Sequence, residues 1–241
     1  MKKLTLIFIA LFFTANLVSA QNWAGGIDDG RYNWGYSFQY ISAEYKIWKN
    51  TNWRDPYFDS DGNRVTDSLT SISSKPTPGF AIGFVANGKI TNHLDARFTP
   101  TLVFSDRVTN YTYNIGDPIA KKTQATMIDM PVSLKLKSDR LVNFRAYVLG
   151  GIKYSLDMAS NKKQNNADVL DEQAKFLRNK RHFLSYEAGA GMDFYFPFFK
   201  MSTELKVSHS FKDVLKHENT AFANPIEKAK LRHFTFSLFF E

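Results

Sequence analysis

The 241-residue chain has no cysteine. Disulfides and thiolate metal sites are therefore excluded, and the compartment has to be read from other features. Long apolar runs are nearly as scarce. Beyond the first twenty residues, nothing approaches the ~18 apolar residues of a membrane-spanning helix. No glycine-rich phosphate loop, metal-ligand cluster or nucleic-acid motif occurs, so no cofactor and no metal is expected.

What is present begins with an address. Lys2-Lys3 precedes an apolar run from Leu4 to Phe13, and Val18-Ser19-Ala20 has the small residues of a cleavage site. This pattern predicts a signal peptide over 1–20 and a mature domain over 21–241. An exported chain without a membrane helix is either soluble or a β-barrel. The net charge is +8, and 29 basic against 23 acidic residues remain once Lys2 and Lys3 are removed. Such a balance suits an anionic partner, and export points to lipid headgroups, with no nucleic acid. The 22 Phe, 11 Tyr and 4 Trp are strand formers, and they also form the interfacial girdles of membrane barrels.

The organising stretch is a hairpin from Thr126 to Leu156. Ile128, Met130, Val132, Leu134 and Leu136 share one face, and Asp129, Ser133, Lys135 and Lys137 the other. After a polar turn at Ser138-Asp139-Arg140, Ala146, Val148, Gly150, Ile152 and Tyr154 oppose Arg145, Tyr147, Leu149 and Lys153. Period-two alternation over ten or more residues predicts strands, at the length of about 9–11 that a tilted membrane strand needs. Six further strands are predicted over 33–41, 79–86, 93–105, 182–194, 200–211 and 230–240. The apolar set changes face after Tyr40, which a bulge or departure from the lipid band would explain. Pro100 sits awkwardly within its strand because it removes a ladder donor. The stretch 166–179 carries Val169, Leu170, Ala174 and Leu177 nearly in helical phase and predicts a short helix.

Long polar connections over 48–77, 106–124, 157–181 and 212–229 alternate with short turns. The predicted fold is all-β: an eight-stranded antiparallel transmembrane up-and-down β-barrel with four long outer loops, three short periplasmic turns and both termini periplasmic. A soluble lipocalin-like barrel has the same alternation. The second face decides between them, because its Gly, Ser, Thr and mixed charges suit a narrow lumen and leave the aromatic face to lipid.

Eight strands leave an interior that side chains can fill. The charges expected to point inward are Asp95, Arg97, Asp129, Lys135, Arg145, Lys153, Glu187, Asp193, Glu204 and Lys206. Five acids balance five bases, as a closed ion-pair network requires. The hairpin's Lys135, Arg145 and Lys153 are expected to face acids such as Glu187 and Glu204. Catalytic readings are weak. In Ser208-His209-Ser210 alternation separates the histidine from both serines. His233 faces inward and could approach Ser208 and Glu204, but three common residues sharing one lumen meet by chance. Asp59-x-Asp61-Gly62-Asn63 lacks the ligand before the glycine and the distal Glu of a calcium loop. No catalytic residue is assigned.

The segments Lys135 to Arg140 (KLKSDR) and Asn143 to Asp157 (NFRAYVLGGIKYSLD) resemble the PorT (SprT) family, outer-membrane barrels of the Bacteroidetes type IX secretion and gliding machinery. Ser185 to Gly191 (SYEAGAG), Glu204 to Ser208 (ELKVS), Phe211 to Leu215 (FKDVL) and Ser237 to Glu241 (SLFFE) fit the same pattern. The resemblance covers about 125–241 well and 33–105 loosely. It implies a non-enzymatic role in exporting cargo proteins across the outer membrane, with other secretion-machinery proteins as partners, and it carries no catalytic residues. The alternatives are a generic outer-membrane barrel for adhesion or membrane integrity and an outer-membrane hydrolase.

Overall fold

The computed structural model describes residues 30–59, 61–158 and 171–241. The expected signal peptide lies outside the described residues. Ten strand segments are found among the described residues: β1 (Tyr32–Lys49), β2 (Leu69–Lys75), β3 (Thr77–Lys89), β4 (Leu94–Phe98), β5 (Thr101–Tyr113), β6 (Ile119–Lys137), β7 (Phe144–Asp157), β8 (His182–Tyr195), β9 (Lys200–Ser210) and β10 (Ile226–Phe240). They make eight barrel strands. β2 and β3 run end to end along β5, interrupted at Pro76. β4 and β5 run end to end along β6, interrupted at Thr99-Pro100. Both breaks fall where proline withholds its ladder donor.

All pairings are antiparallel, and β1 pairs with both β10 and β3, which closes the ring. Closure matters in lipid, where an unpaired edge would leave backbone polar groups without partners. The side chains sort as a membrane barrel requires. Trp34, Tyr36, Phe38 and Tyr40 are more than half exposed on the outside, whereas Ser37 and Gln39 between them are buried. Phe80, Ile82 and Phe84 on β3, Val132, Leu134 and Leu136 on β6, and Phe234 and Phe236 on β10 continue the apolar exterior.

The change of face after Tyr40 has no bulge behind it. β1 pairs continuously with β10 from Tyr36 to Trp48, and the register shifts only between Trp48 and Lys49. Alternation is unbroken, and what changes is the surroundings. Ile41, Ala43 and Tyr45 point inward into an apolar core at the loop end of the barrel. Ser42, Glu44 and Lys46 point outward, above the lipid-facing Tyr40.

The connection expected over 106–124 is largely strand, and part of the one expected over 48–77 is strand as well. β5 extends to Tyr113 and β6 begins at Ile119, so residues 114–118 alone join them. Residues 69–75, also assigned to a loop, form β2. Beyond the lipid band a strand's outer face meets water and carries Asp106, Asn110 and Thr112, so the segment reads as loop although its ladder continues. The helix expected over 166–179 is absent from its described part. Residues 171–179 hold only a 3₁₀ turn, Glu172–Ala174, with the Asp171 side chain accepting from the Gln173 amide.

Glycine spacing gives a direct test of the inward–outward assignment. Gly150 and Gly151 are neighbours on β7 with opposite faces. A Cβ at Gly151 would collide with the Val132 carbonyl and lie 2.7 Å from Ser133 Cα, while at Gly150 the nearest atom is 3.9 Å away. Gly151→Val is expected to destabilise the barrel by about 1–3 kcal/mol. Gly150→Val should stay within about 0.5 kcal/mol of wild type. Urea unfolding in detergent micelles distinguishes them.

Candidate functional site

The lumen is built in two layers, a charged one toward the short turns and an apolar one toward the loops. Nine of the ten residues expected to point inward are buried: Asp95, Arg97, Asp129, Lys135, Lys153, Glu187, Asp193, Glu204 and Lys206. Arg145 is half-buried, close to the Tyr195 ring.

In the charged layer Lys135 is held by both carboxylate oxygens of Asp193 at 2.8 Å, and Ser202 donates to the same group at 2.6 Å. Arg97 donates to Glu204 at 2.8 Å and to Asn87 at 2.8 Å, and it lies 3.4 Å from Glu241. The flat guanidinium also sits over the Phe239 ring at 4.6 Å. A planar fork with several donors can bridge partners from different strands in a fixed geometry. Tyr147 donates its hydroxyl to Glu204 at 3.0 Å, and its ring faces the Lys135 ammonium at 3.8 Å. Lys206 lies 3.3 Å from Glu187 and 3.6 Å from Glu204. Higher in the lumen, Lys153 pairs with Asp129 at 2.9 Å.

These partners differ from those expected. Lys135 meets Asp193 and Lys153 meets Asp129, whereas Glu187 and Glu204 belong to Lys206 and Arg97. Alternation tells which side chains enter the lumen. Which of them meet depends on strand stagger around the closed ring. Several participants were also missed. Lys137 pairs with Asp95 at 2.7 Å, Lys200 with Glu241 at 2.7 Å, and Arg107 lies 3.9 Å from Asp157. Arg107 and Asp157 fall in the stretches expected as loops. Their alternation with Val103, Ser105 and Thr109, and with Lys153 and Ser155, was the available signal.

The hydrolase constellation is not assembled. Ser208 and His233 are direct cross-strand partners, but Lys153 Nζ stands between them, donating to Ser208 Oγ at 3.1 Å and lying 3.2 Å from His233 Nδ1. The nitrogen that would face an acid therefore faces a cation, and Glu204 is engaged with Arg97 and Tyr147. The Asp59 segment is an exposed turn. Asp59 accepts from the Asp61 and Asn63 amides at 3.0 and 2.7 Å, and Gly62 has φ +81°. Among the described residues, no group of three or more His, Asp or Glu side chains is placed to hold a metal.

The apolar layer caps the lumen. Ile41, Ala43 and Tyr45 of β1 and Tyr111 of β5 meet Leu177, Val214, Leu215, Phe222 and Ile226, which come largely from the connecting segments. Phe222 is fully buried, and its carbonyl accepts from the Tyr111 hydroxyl at 2.7 Å. The segment Phe211 to Leu215 explains itself here. Val214 and Leu215 enter the cap, while Asp213 ties the segment down. Asp213 accepts from the Ala229 amide at 2.7 Å and the Leu215 amide at 3.2 Å, and pairs with Lys180 at 3.1 Å. Burial by itself would raise its pKa. The hydrogen bonds from Ala229, Lys180 and Leu215 outweigh burial and hold the carboxyl below its ordinary range.

A closed antiparallel ring with an aromatic exterior and a charged interior is the architecture of an outer-membrane barrel. Residues 13–216 match the family described as outer membrane protein beta-barrel domain. The chain belongs to that family. Its environment is therefore the lipid of the outer membrane. Among curated proteins none matches the chain. Among solved structures, Neisserial surface protein A aligns at TM-score 0.42 and 9% identity, covering 86% of this chain and 95% of that one. Ail, the attachment invasion locus protein of Yersinia pestis, aligns at 0.34 and 12%, covering 86% and 96%. The outer membrane protein AlkL aligns at 0.41 and 13%, covering 85% and 86%.

Two outcomes follow for this outer-membrane barrel. Lys135→Met leaves Asp193 buried without its closest cation, and about 3–5 kcal/mol of stability should be lost. Adding Asp193→Asn should restore much of it, and urea unfolding of the four proteins measures the coupling. Asp213 has a depressed folded pKa, so its contribution is present above the unfolded carboxylate pKa of about 4 and disappears as pH falls through the folded value. Asp213→Asn should lower the melting temperature by about 2–4 °C at pH 7, the equivalent of about 1 kcal/mol. The gap should close in strongly acidic buffer.

Proposed function

We propose that this barrel is a non-enzymatic component of a type IX protein secretion machine, acting as a membrane-anchored docking platform and not as the conduit for cargo. The observation that carries the platform reading is the filling of the lumen from both ends. Arg97, Arg107, Lys135, Lys200, Phe239, Tyr111 and Phe222 are among the largest fully buried side chains, and they come from both layers. A folded or extended polypeptide could cross only if the ion pairs and the cap came apart together. Removing one partner of a single buried pair already costs about 3–5 kcal/mol.

The assignment to secretion rests on the resemblance over 135–157 and on Phe211 to Leu215. In this reading residues 1–20 direct export, both termini and the three short turns face the periplasm, and the four loops face outward. Turns and loops then offer the surfaces for other machine proteins. The Lys153 ammonium between Ser208 and His233 supports the non-enzymatic part.

Deletion of the gene is expected to abolish export of secreted cargo, with export restored by a plasmid copy. Normal export in the deletion strain would sink the secretion reading and leave a barrel for adhesion or membrane integrity. In planar bilayers the purified barrel should give no stable conductance steps, and regular steps would overturn the platform reading.

A further inference from the structure

Near the loop end the apolar outer wall gives way on β9, β10 and β1 to a charged patch. Arg232 on β10 stands opposite His209 on β9 and Glu44 on β1, and Lys230 stands opposite Lys46. These side chains lie on the outward face, directly above lipid-facing Val207 and Phe234. Glu44 is the only acid among them. It is bonded by Arg232 and lies 3.4 Å from Lys46, so one carboxylate serves two cations. Lys230 lies 5.8 Å from the Trp48 ring centre, a weak contact that leaves its charge uncompensated. The patch therefore has a positive surplus where the hydrocarbon wall ends. The outer face of β5 and β6 differs, because its Lys122 is neutralised by Asp106 at 2.7 Å. A groove of about 320 Å³ opens within the patch, lined by Ser42, Glu44, Pro76, Val207, Arg232 and Phe234.

We propose that the wall of β9, β10 and β1 at the loop end binds the anionic phosphate headgroup of a membrane lipid. Charge complementarity selects the headgroup, since Lys46, Lys230 and Arg232 exceed the single Glu44. Position selects a lipid over a free ion. The groove floor at Val207 and Phe234 is continuous with the hydrocarbon-facing wall, so an acyl chain lies along it while the phosphate reaches the cations. Cations at a membrane surface attract anionic lipid by roughly fivefold each.

The test is native mass spectrometry of the full chain released from micelles holding equal amounts of phosphatidylglycerol and phosphatidylcholine. Wild type should retain phosphatidylglycerol preferentially. K46Q/K230Q should lose that preference by about tenfold or more, since each lysine contributes roughly fivefold. Both substitutions leave the Arg232–Glu44 pair in place. K230Q alone, which removes no ion pair, should lose part of the preference and serves if the double variant fails to fold. K122Q on the β5–β6 wall should behave as wild type. Equal retention of the two lipids by wild type would overturn the proposal, as would undiminished preference in K230Q and K46Q/K230Q. Displacement of phosphatidylglycerol by millimolar inorganic phosphate would overturn the lipid assignment in favour of a free-phosphate site.

Discussion

Backbone closure is the constraint on which the rest of this molecule depends. In hydrocarbon no water is available for an exposed amide, so a sheet survives only if it has no edge. β1 supplies the closure by pairing with β10 along one side and β3 along the other. Once the ring is closed, every outward position between the rims faces lipid and every inward one faces seven other strands. The aromatic exterior and the charged interior are two consequences of one act of pairing.

Closure also sets a problem for the interior. Eight strands leave room for side chains and little else. Burying charge there is tolerable only with close partners. The chain meets this with compact ion-pair clusters: Arg97 with Glu204 and Glu241, Lys135 with Asp193, Lys153 with Asp129. The Arg97 cluster ties β4 to β9 across the lumen. At the loop end the solution changes from ion pairs to apolar packing. The connecting segments fold back, and Phe222, Val214 and Leu215 take the place that charge holds below. A lumen filled in both ways is suited to presenting surfaces. The wall carries one such surface, the basic patch of β9, β10 and β1, and the loops and turns carry the others.

Much of this was legible beforehand, because the signals were local. The hairpin around Lys135 and Lys153 declared its strands, its turn and its inward face through period-two alternation alone. The same logic placed His209 outward and His233 inward. It faltered above the lipid band. There the outer face becomes polar, so the strand segments at 69–75 and 106–113 looked like loops. The change of face at Ile41 is open to two readings in the sequence, a bulge or departure from the lipid band, and the unbroken register leaves the second: the surroundings change while the geometry does not.

By itself the sequence determined the count of eight strands, their lipid-band segments and the face that each side chain takes within those segments. Each follows from the two-residue repeat of an extended chain and from proline and polar punctuation, which are properties of neighbouring residues. Tertiary structure decided the rest. Lys135 meets Asp193 and not Glu187, six residues away on the same strand, because ring stagger sets which residue of β8 lies at its height. Lys153 separates Ser208 from His233 for that reason as well. The lumen is capped because connecting segments distant in sequence are brought over it by closure, and no local pattern records that encounter.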